Sequence, residues 1–250
     1  MAPTIPSPHL RIRAEPLTSA SFAAFGTVIA SPLPPTRNTL PYPAPENSQL
    51  ANQGTALVSE ISPLISNYRL SPSGAPAQPH IRLFSSFPNQ LRTSEQSAPA
   101  DILDVRVLER HAYTTQTFVP LIPNSALGRA QSKYIVIVAP TLHRAEPGVG
   151  LTPYFPQVPS TGQIGGSGGL PDLKNIKAFV GEEGTGITYG VGVWHSPMIV
   201  TGPSRMDFVV VQYQSGREGE DCQEVDLGAR HGEGIEVILG TQEMKVSAKL

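Results

Sequence analysis

The strongest constraint on the fold is a series of short segments, rich in Val, Ile, Tyr and Phe, that occupies much of residues 104–214. Gly and Pro residues separate these segments, and no long helical pattern lies between them. Segments of this composition favour β-strands, and many short strands without helices predict a β-sandwich or a β-barrel. The 26 Pro and 23 Gly residues also argue against long helices. The segments are DVRVLER, TQTFVPL, YIVIVAP, KAFVGEE, GITYGVGVW, HSPMIVTG and DFVVVQYQ.

The length of 250 residues favours one all-β domain over residues 1–250. Two stretches interrupt its strands, a Pro-rich loop at about 31–48 and a Gly/Pro-rich insertion at about 144–170. Few helices are expected. One short helix is predicted over Ser19–Phe25 with Thr18 as its N-cap, and one helical turn is predicted near Asp172.

Charge and composition exclude several classes of protein. The formal net charge is −2 and no basic cluster occurs, so we expect no nucleic-acid partner. No apolar run reaches the length of a membrane span, and the N-terminal residues lack the apolar stretch of a signal peptide, so no membrane partner is expected. The single cysteine, Cys222, cannot form an intrachain disulfide, which fits a reducing interior.

The C-terminal tripeptide Ala248-Lys249-Leu250 resembles a peroxisomal address signal. We therefore expect an intracellular protein that is either peroxisomal or, if the tripeptide arises by chance, cytoplasmic.

Glu109 and His111 stand at the end of a strand that should bury apolar side chains. Strand side chains alternate, so Val105 and Val107 should share one face with Glu109 and His111. A buried carboxylate and imidazole are costly unless they are paired, bind a metal or act on a substrate.

A second unusual stretch is GTGITYGVGVWHSPMI, in which Gly184, Gly190 and Gly192 precede His195. Glycine within a strand marks a bend, a bulge or a close backbone approach. Three of them followed by Trp-His predict a tight corner that directs a histidine.

These two stretches resemble the paired motifs of cupins. The spacing His-x-His, four residues, Glu is filled by Glu109-x-His111 and Gln116, and the second motif is matched from Gly184 through Gly190 and Gly192 to His195. The resemblance implies a double-stranded β-helix barrel. It leaves two possibilities for the site: no cofactor, or one divalent ion (Ni²⁺, Mn²⁺ or Zn²⁺). The ligands would then be Glu109, His111, Gln116 and His195, of which Gln116 is neutral and therefore a weaker ligand than a carboxylate.

A longer resemblance is to the ureidoglycolate lyase family. It rests on FAAFGTVI, ANQGTA, LERHAYTTQTFVPL, PDLKNIKAFVGEEGTGITYGVGVWHSP and DFVVVQY followed by EDCQEVDL. The long insertion and the Pro-rich loop depart from the compact bacterial form, as does Gln212-Tyr213 in the place of Asp-Arg. The resemblance implies a carbon–nitrogen lyase of the amidine-lyase type that splits ureidoglycolate into glyoxylate and urea in allantoin degradation. The alternatives are a cupin-type metal-dependent oxygenase or isomerase of a small carboxylate, and a non-catalytic barrel that binds a small molecule.

The roles expected of single residues follow from this reaction, which needs a base, an acid and a group that holds the substrate carboxylate. Each role has a plain alternative: the histidines as neutral core residues, Glu109 in a salt bridge with Arg106 or Arg110, Trp194 in packing, and Asn52 in a turn. Cys222 is not expected to be a nucleophile.

A homodimer paired across a strand edge is expected. The candidate catalytic residues are His111, His195, Glu109, Tyr189 and Gln116, the candidate substrate-binding residues are Arg110, Asn52, Trp194 and Lys177, and Asp207 is expected to support a histidine.

Overall fold

The computed structural model describes residues 2–34, 36–94, 100–122, 132–142, 153–154, 169–228 and 232–240. Most of the insertion at 144–170 and the whole tripeptide 248–250 lie outside these residues. The described residues form an all-β, cupin-like fold with two short α-helices, as predicted. No helix among them has the length and apolar character needed to cross a membrane.

The helices are α1 (Ser19–Phe22) and α2 (Glu218–Asp221), and 3-10 turns cover Asn52–Gly54, Tyr68–Leu70 and Leu173–Asn175. In chain order the strands are β1 (Leu10–Arg13), β2 (Glu15–Pro16), β3 (Gly26–Ile29), β4 (Ser48–Ala51), β5 (Ala56–Ser59), β6 (Gln78–Ser86), β7 (Arg92–Thr93), β8 (Asp101–Val105), β9 (Val107–Arg110), β10 (Gln116–Pro120), β11 (Lys133–Ala139), β12 (Thr141–Leu142), β13 (Pro153–Tyr154), β14 (Lys177–Glu182), β15 (Gly186–Tyr189), β16 (Trp194–His195), β17 (Ile199–Thr201), β18 (Met206–Gln214), β19 (Gln223–Asp226) and β20 (Ile235–Leu239).

Three sheets lie in layers. The front sheet has the order β3-β15-β10-β18-β6. The middle sheet has the order β19-β9-β16-β11-β14-β2, with β17 also paired to β11. The back sheet has the order β1-β20-β8-β7. Two small hairpins, β4-β5 and β12-β13, complete the described strands.

Strand β11 of the middle sheet is apolar on both faces. On β11 the side chains of Val136 and Val138 join the front core, which also contains Phe118 and Phe208 of the front sheet. The intervening Ile137 joins the rear core against the back sheet. A strand buried on both faces reads as a continuous apolar run, which explains YIVIVA in the sequence. Each such fully buried side chain contributes about 2 kcal/mol. Because one sheet lines both cores, we propose that the chain is a single domain.

The predicted N-cap at Thr18 and the helical turn near Asp172 are confirmed, whereas α1 ends at Phe22 and not at Phe25 as predicted. The side chain of Thr18 accepts a hydrogen bond from the Ser21 amide at the start of α1, and the Ser21 hydroxyl oxygen accepts one from the Thr18 amide. The Asp172 side chain accepts from the Lys174 amide at the start of its 3-10 turn. These caps satisfy amides that have no partner inside a short helix.

Two predictions about strands were wrong in detail. GITYGVGVW is not one strand, because a turn at Gly190–Val193 separates β15 from β16. Val105 also does not share a face with Glu109. Val105 and Leu108 both lie in the rear core, so the alternation changes phase between them. The chain leaves the back sheet after β8 and enters the middle sheet with β9, which resets the pattern.

Candidate active site

The candidate site lies between the middle and front sheets. In the middle sheet, Glu109 of β9 is directly opposite His195 of β16. In the front sheet, Gln116 of β10 is directly opposite both Tyr189 of β15 and Gln212 of β18. Residues directly opposite on neighbouring strands direct their side chains to the same face. The register of two sheets therefore brings together residues that are far apart in sequence.

Three ligand-type side chains converge at this place. One ligand atom from each of Glu109, His111 and His195 lies within 4.8 Å of the other two. Oε1 of Glu109 is 3.5 Å from Nε2 of His195, and Oε1 of Gln116 is 3.2 Å from the same nitrogen. His111 and His195 are 6% and 1% exposed. The structure thus brings together the four residues that the cupin resemblance gave as ligands.

A glycine turn sets the direction of His195. Gly192 has φ +76°, a conformation that glycine adopts without strain, and its amide donates to the His111 carbonyl at 2.9 Å. The carbonyl of Val193, in the same turn, lies 3.0 Å from Nδ1 of His195. A carbonyl only accepts, so Nδ1 carries the proton and Nε2 of a neutral ring presents its lone pair to the cluster. The predicted corner that directs a histidine is present.

A main-chain carbonyl also orients His111. Its Nδ1 lies 2.7 Å from the Asp221 carbonyl, which fixes the proton on Nδ1. Its Nε2 is buried and has no hydrogen-bond partner among the described residues. Burial, with a smaller contribution from His195, lowers the pKa of His111 to about 4. His111 therefore presents a neutral nitrogen lone pair that no group in the described part of the chain satisfies.

The charges and lone pairs of this cluster fit a divalent cation. Lone pairs from His111, His195, Gln116 and the Glu109 carboxylate face one another without a hydrogen atom between them in the neutral tautomers above. A buried acceptor without a partner is costly, and a positive charge between acceptors that face each other removes this cost. Imidazole and carboxylate are common ligands of Zn²⁺ and Ni²⁺.

Glu109 is the charged member of the cluster. Burial raises the pKa of Glu109, but interactions of the carboxylate with the protonated forms of His195 and His111, and with the Cys222 thiol, outweigh burial and lower this pKa. The Cys222 Sγ is 3.7 Å from Oε2 of Glu109. Burial and the nearby Glu109 raise the pKa of Cys222 to about 12, so the thiol stays protonated at neutral pH. This fits the expectation that Cys222 is not a nucleophile.

Tyr189 packs directly on the site. Its ring is stacked on His195 with centroids 4.0 Å apart and an interplanar angle of 13°. The other side of Tyr189 meets Phe22 and Phe118 of the front core. Burial raises the pKa of the Tyr189 phenol well above its usual value, so the phenol is neutral.

Comparison with known proteins identifies the family of the chain. The profile of the family described as ureidoglycolate lyase matches residues 9–231, which include every member of the cluster. The chain belongs to the ureidoglycolate lyase family. Relatives named ureidoglycolate lyase occur in Schizosaccharomyces pombe (29% identical; 85% of this chain, 90% of the relative) and Saccharomyces cerevisiae (31%; 84% and 91%). Another occurs in Burkholderia mallei (29%; 85% and 87%).

In this ureidoglycolate lyase family protein, Arg110 and Trp194 lie on the rear face of the middle sheet, behind the cluster. The Arg110 guanidinium lies 4.9 Å over the Trp194 ring and donates to Gln223 at 2.8 Å. Trp194 belongs to the rear core, and its indole donates to the Gly169 carbonyl at 2.8 Å. Both side chains alternate with Glu109 and His195 and therefore point to the opposite face, away from the cluster.

The structure does not bring the other three predicted residues into contact with the cluster. Asn52 is exposed in the turn after β4. Asp207 binds Arg205, with Oδ1 3.1 Å from the guanidinium. Lys177 lies in the same row as His195, since both are opposite Val138 of β11, but its amine is 3.5 Å from Glu15.

Sequence reasoning missed Gln212 and Asp221 as members of the site. Gln212 contacts both Gln116 and His111, at 2.9 Å each. The alternation of Phe208, Val210 and Gln212 on β18 carries a signal for this position, because Gln212 continues the apolar face. Asp221 acts through its main-chain carbonyl, for which the sequence carries no signal.

Proposed function

We propose that this protein cleaves ureidoglycolate into glyoxylate and urea, as a carbon–nitrogen lyase of the amidine-lyase type in the breakdown of allantoin and thus of purines. The observation that carries the proposal is the convergence of His111, His195 and Glu109 within 4.8 Å, in a chain whose family is named for this activity.

We further propose that His111, His195, Glu109 and Gln116 hold one divalent ion. The unsatisfied Nε2 of His111 and the facing acceptors around His195 support this ligand set. Two imidazoles favour Ni²⁺ or Zn²⁺ over Mn²⁺. Such an ion, when bound, lowers the pKa of a hydroxyl that binds to it and neutralises a substrate carboxylate.

Glu109 is the group proposed to move the proton. Its lowered pKa keeps it a carboxylate at neutral pH. Oε1 faces the cluster, whereas Oε2 has the weak thiol donor of Cys222 as its partner and keeps lone-pair capacity for a proton. Glu109 therefore accepts the proton of the substrate hydroxyl as the C–N bond breaks and the C=O bond of glyoxylate forms.

The same carboxyl group then returns the proton to the leaving nitrogen. In ureidoglycolate the hydroxyl oxygen and the urea nitrogen are bonded to one carbon, so a single carboxyl can reach both atoms. The electron pair of the C–N bond leaves with the nitrogen, which takes this proton and becomes urea. No water is consumed, and one acid–base group is enough.

The remaining residues have supporting roles in this proposal. Tyr189 holds the ring plane of His195. Arg110 and Trp194 support the strands that carry Glu109 and His195 from the rear face. Lys177, in the row of His195 and half exposed, is the proposed partner of the substrate carboxylate. Asn52 and Asp207, without a contact to the cluster, have no role in the proposed mechanism.

We also propose two properties of the whole protein. The first is a homodimer formed through β6, the edge strand of the front sheet, whose side chains Ile81 and Leu83 are 76% and 62% exposed. The second is a peroxisomal location, which rests on the tripeptide 248–250 alone.

Substitution of the histidines tests the proposed site. His111→Ala and His195→Ala should each reduce glyoxylate release from ureidoglycolate by about a thousandfold or more, since each removes a proposed ligand of the divalent ion. His9→Ala, which changes an exposed histidine, is the matched control and should keep full activity. Near-full activity of either site variant, with unchanged folding by circular dichroism, would refute the placement of the site.

A further inference from the structure

Two buried glutamines link the two histidines of the site. Gln116 and Gln212 are directly opposite on β10 and β18, and both are buried. Nε2 of Gln116 donates to Oε1 of Gln212 at 2.9 Å. The free ends of the pair then reach the histidines: Oε1 of Gln116 lies 3.2 Å from Nε2 of His195, and Nε2 of Gln212 lies 2.9 Å from Nδ1 of His111. The chain of contacts therefore runs from one imidazole to the other through two amides.

The two outer ends of this chain are fixed by carbonyls. The Val193 carbonyl requires a proton on Nδ1 of His195, and the Asp221 carbonyl requires a proton on Nδ1 of His111. Nε2 of His195 is then an acceptor, and it faces another acceptor, the oxygen of Gln116. Nδ1 of His111 is then a donor, and it faces another donor, the NH₂ of Gln212. In this orientation both end contacts are mismatched. A cation at the His195 end removes the mismatch there, whereas the donor–donor contact at His111 remains.

Rotation of both amides by a half turn removes the mismatches. The oxygen of Gln212 then accepts from Nδ1 of His111, the NH₂ of Gln212 donates to the oxygen of Gln116, and the NH₂ of Gln116 donates to Nε2 of His195. Every contact along the chain then joins a donor to an acceptor in the absence of a cation, and the single Nδ1–H of His111 is shared between the Asp221 carbonyl and the Gln212 oxygen. Oxygen and nitrogen of an amide are nearly equal in size, so both orientations occupy the same space. The hydrogen bond between the amides requires that they rotate together.

We propose that Gln212 is a positioning residue that decides which end of Gln116 faces His195. In the cation-free site the NH₂ of Gln116 occupies the His195 lone pair, and with a cation the coupled pair turns the Gln116 oxygen toward it. Gln212 acts through Gln116 and need not touch cation or substrate. The inference rests on the divalent ion of the proposed function, but not on the lyase reaction.

A substitution that allows only one orientation follows from this coupling. In Gln212→Glu the introduced carboxylate only accepts, so Gln116 must donate its NH₂ to residue 212 and present its oxygen to the cluster. The same carboxylate suits Nδ1–H of His111. Gln212→Glu should therefore tighten binding of a divalent ion. Because a new negative charge also attracts a cation, the contribution of the amide pair has to be separated from that of charge.

The test measures Ni²⁺ and Zn²⁺ binding to the full chain after removal of metal with a chelator, by titration calorimetry without substrate. Gln212→Glu should bind at least about tenfold more tightly than the unchanged protein, the scale on which residues behind metal ligands act. When Gln116 is replaced by Met, Gln212→Glu should increase the affinity for the ion by less than about threefold. A smaller effect without Gln116 is the signature of coupling in a double-mutant cycle. His80→Glu, which places a charge directly opposite Gln212 on exposed β6, is the control for charge and should also gain less than about threefold.

The absorption spectrum of bound Co²⁺ gives an independent readout. Gln212→Glu should leave the spectrum of the Co²⁺ protein unchanged, because Gln116 oxygen is a ligand in both proteins, whereas Gln116→Met should change it. The proposal would be overturned if Gln212→Glu increased the affinity for the ion equally with and without Gln116, or did not increase it. It would also be overturned if neither the unchanged protein nor Gln212→Glu bound a divalent ion. If the protein shows no lyase activity but the double-mutant cycle gives the predicted coupling, the proposed reaction is refuted and the proposed role of Gln212 stands.

Discussion

Tyr189 lies flat against His195, with ring centroids 4.0 Å apart and planes 13° apart. The contact joins the front core to the candidate site, since Tyr189 also packs on Phe22 and Phe118. His195 is thus held by a face contact with Tyr189 and an edge contact with the Val193 carbonyl. Together they fix both the plane and the in-plane rotation of the imidazole.

Two substitutions at Tyr189 separate packing from proton donation. Tyr189→Phe keeps the stacked ring and should leave kcat/KM for ureidoglycolate within about threefold. Tyr189→Leu loses the stack and should lower kcat/KM by about 10–100-fold, because the imidazole is no longer held. A large loss in the Phe variant, with an unchanged melting temperature, would instead assign the phenol a role as proton donor.

A buried carboxylate in the back sheet predicts the acid stability of the protein. Glu236 is 1% exposed, and it binds Arg92 at 2.6 Å and also Arg11. Burial opposes the charge, but the two arginines outweigh it and hold the pKa of Glu236 below its usual value of 4.5. A lowered pKa contributes stability that is complete above the pKa of the unfolded chain and is lost as the pH falls through the folded value. The free energy of unfolding, measured by denaturation in urea, should therefore decline as the pH falls below about 4.5.

The matched variants are Glu236→Gln and Glu182→Gln. Glu236→Gln should lower the free energy of unfolding at pH 7 by about 2 kcal/mol and flatten the acid decline, since it removes two charge-assisted hydrogen bonds. Glu182 pairs with Lys133 at 3.2 Å with its side chain 59% exposed, and its substitution should change stability by about 0.5 kcal/mol or less. Equal effects of the two variants would contradict the assignment.

The exposed edge strand β6 predicts the oligomeric state. Ile81 and Leu83 lie on the same face of β6, and Phe87 just after it is 68% exposed. The double substitution Ile81→Lys and Leu83→Lys should convert a dimer into a 26.6 kDa monomer, measured by light scattering after size exclusion. Leu64→Lys, at an exposed leucine elsewhere, should leave the dimer intact. A monomeric unchanged protein at micromolar concentration would contradict the proposal.

The C-terminal tripeptide predicts the cellular location. Removal of Leu250 from a chain with a fluorescent protein at its N-terminus should move the signal from peroxisomes to the cytosol, because the tripeptide is read by a receptor. Ser247→Ala leaves the tripeptide intact and should not change the distribution. An identical distribution of all three proteins would refute the targeting role.

Much of the site could be predicted because local signals coincide there. Glu109 and His111 are polar residues where a strand should be apolar, and the glycines before His195 mark the turn that the structure contains. The caps at Thr18 and Asp172 are likewise local, and their side chains are within three residues of the amides they bind. Such patterns depend on neighbouring residues, which the sequence displays directly.

The parts that could not be predicted depend on contacts between distant residues. The phase change between Val105 and Leu108 arises because the chain passes from the back sheet to the middle sheet, and no residue type marks that step. Gln212 meets His111 across 101 positions, and the Asp221 carbonyl meets it across 110. A main-chain group that orients a histidine leaves no trace in side-chain identities.

The most direct test of the central claim is the stoichiometry of products from ureidoglycolate and purified protein. We predict equal amounts of glyoxylate and urea without ammonia, and loss of both after treatment with a chelator, with recovery on addition of Ni²⁺ or Zn²⁺. Release of glyoxylate with ammonia in place of urea, or no release after either ion is added, would contradict the account.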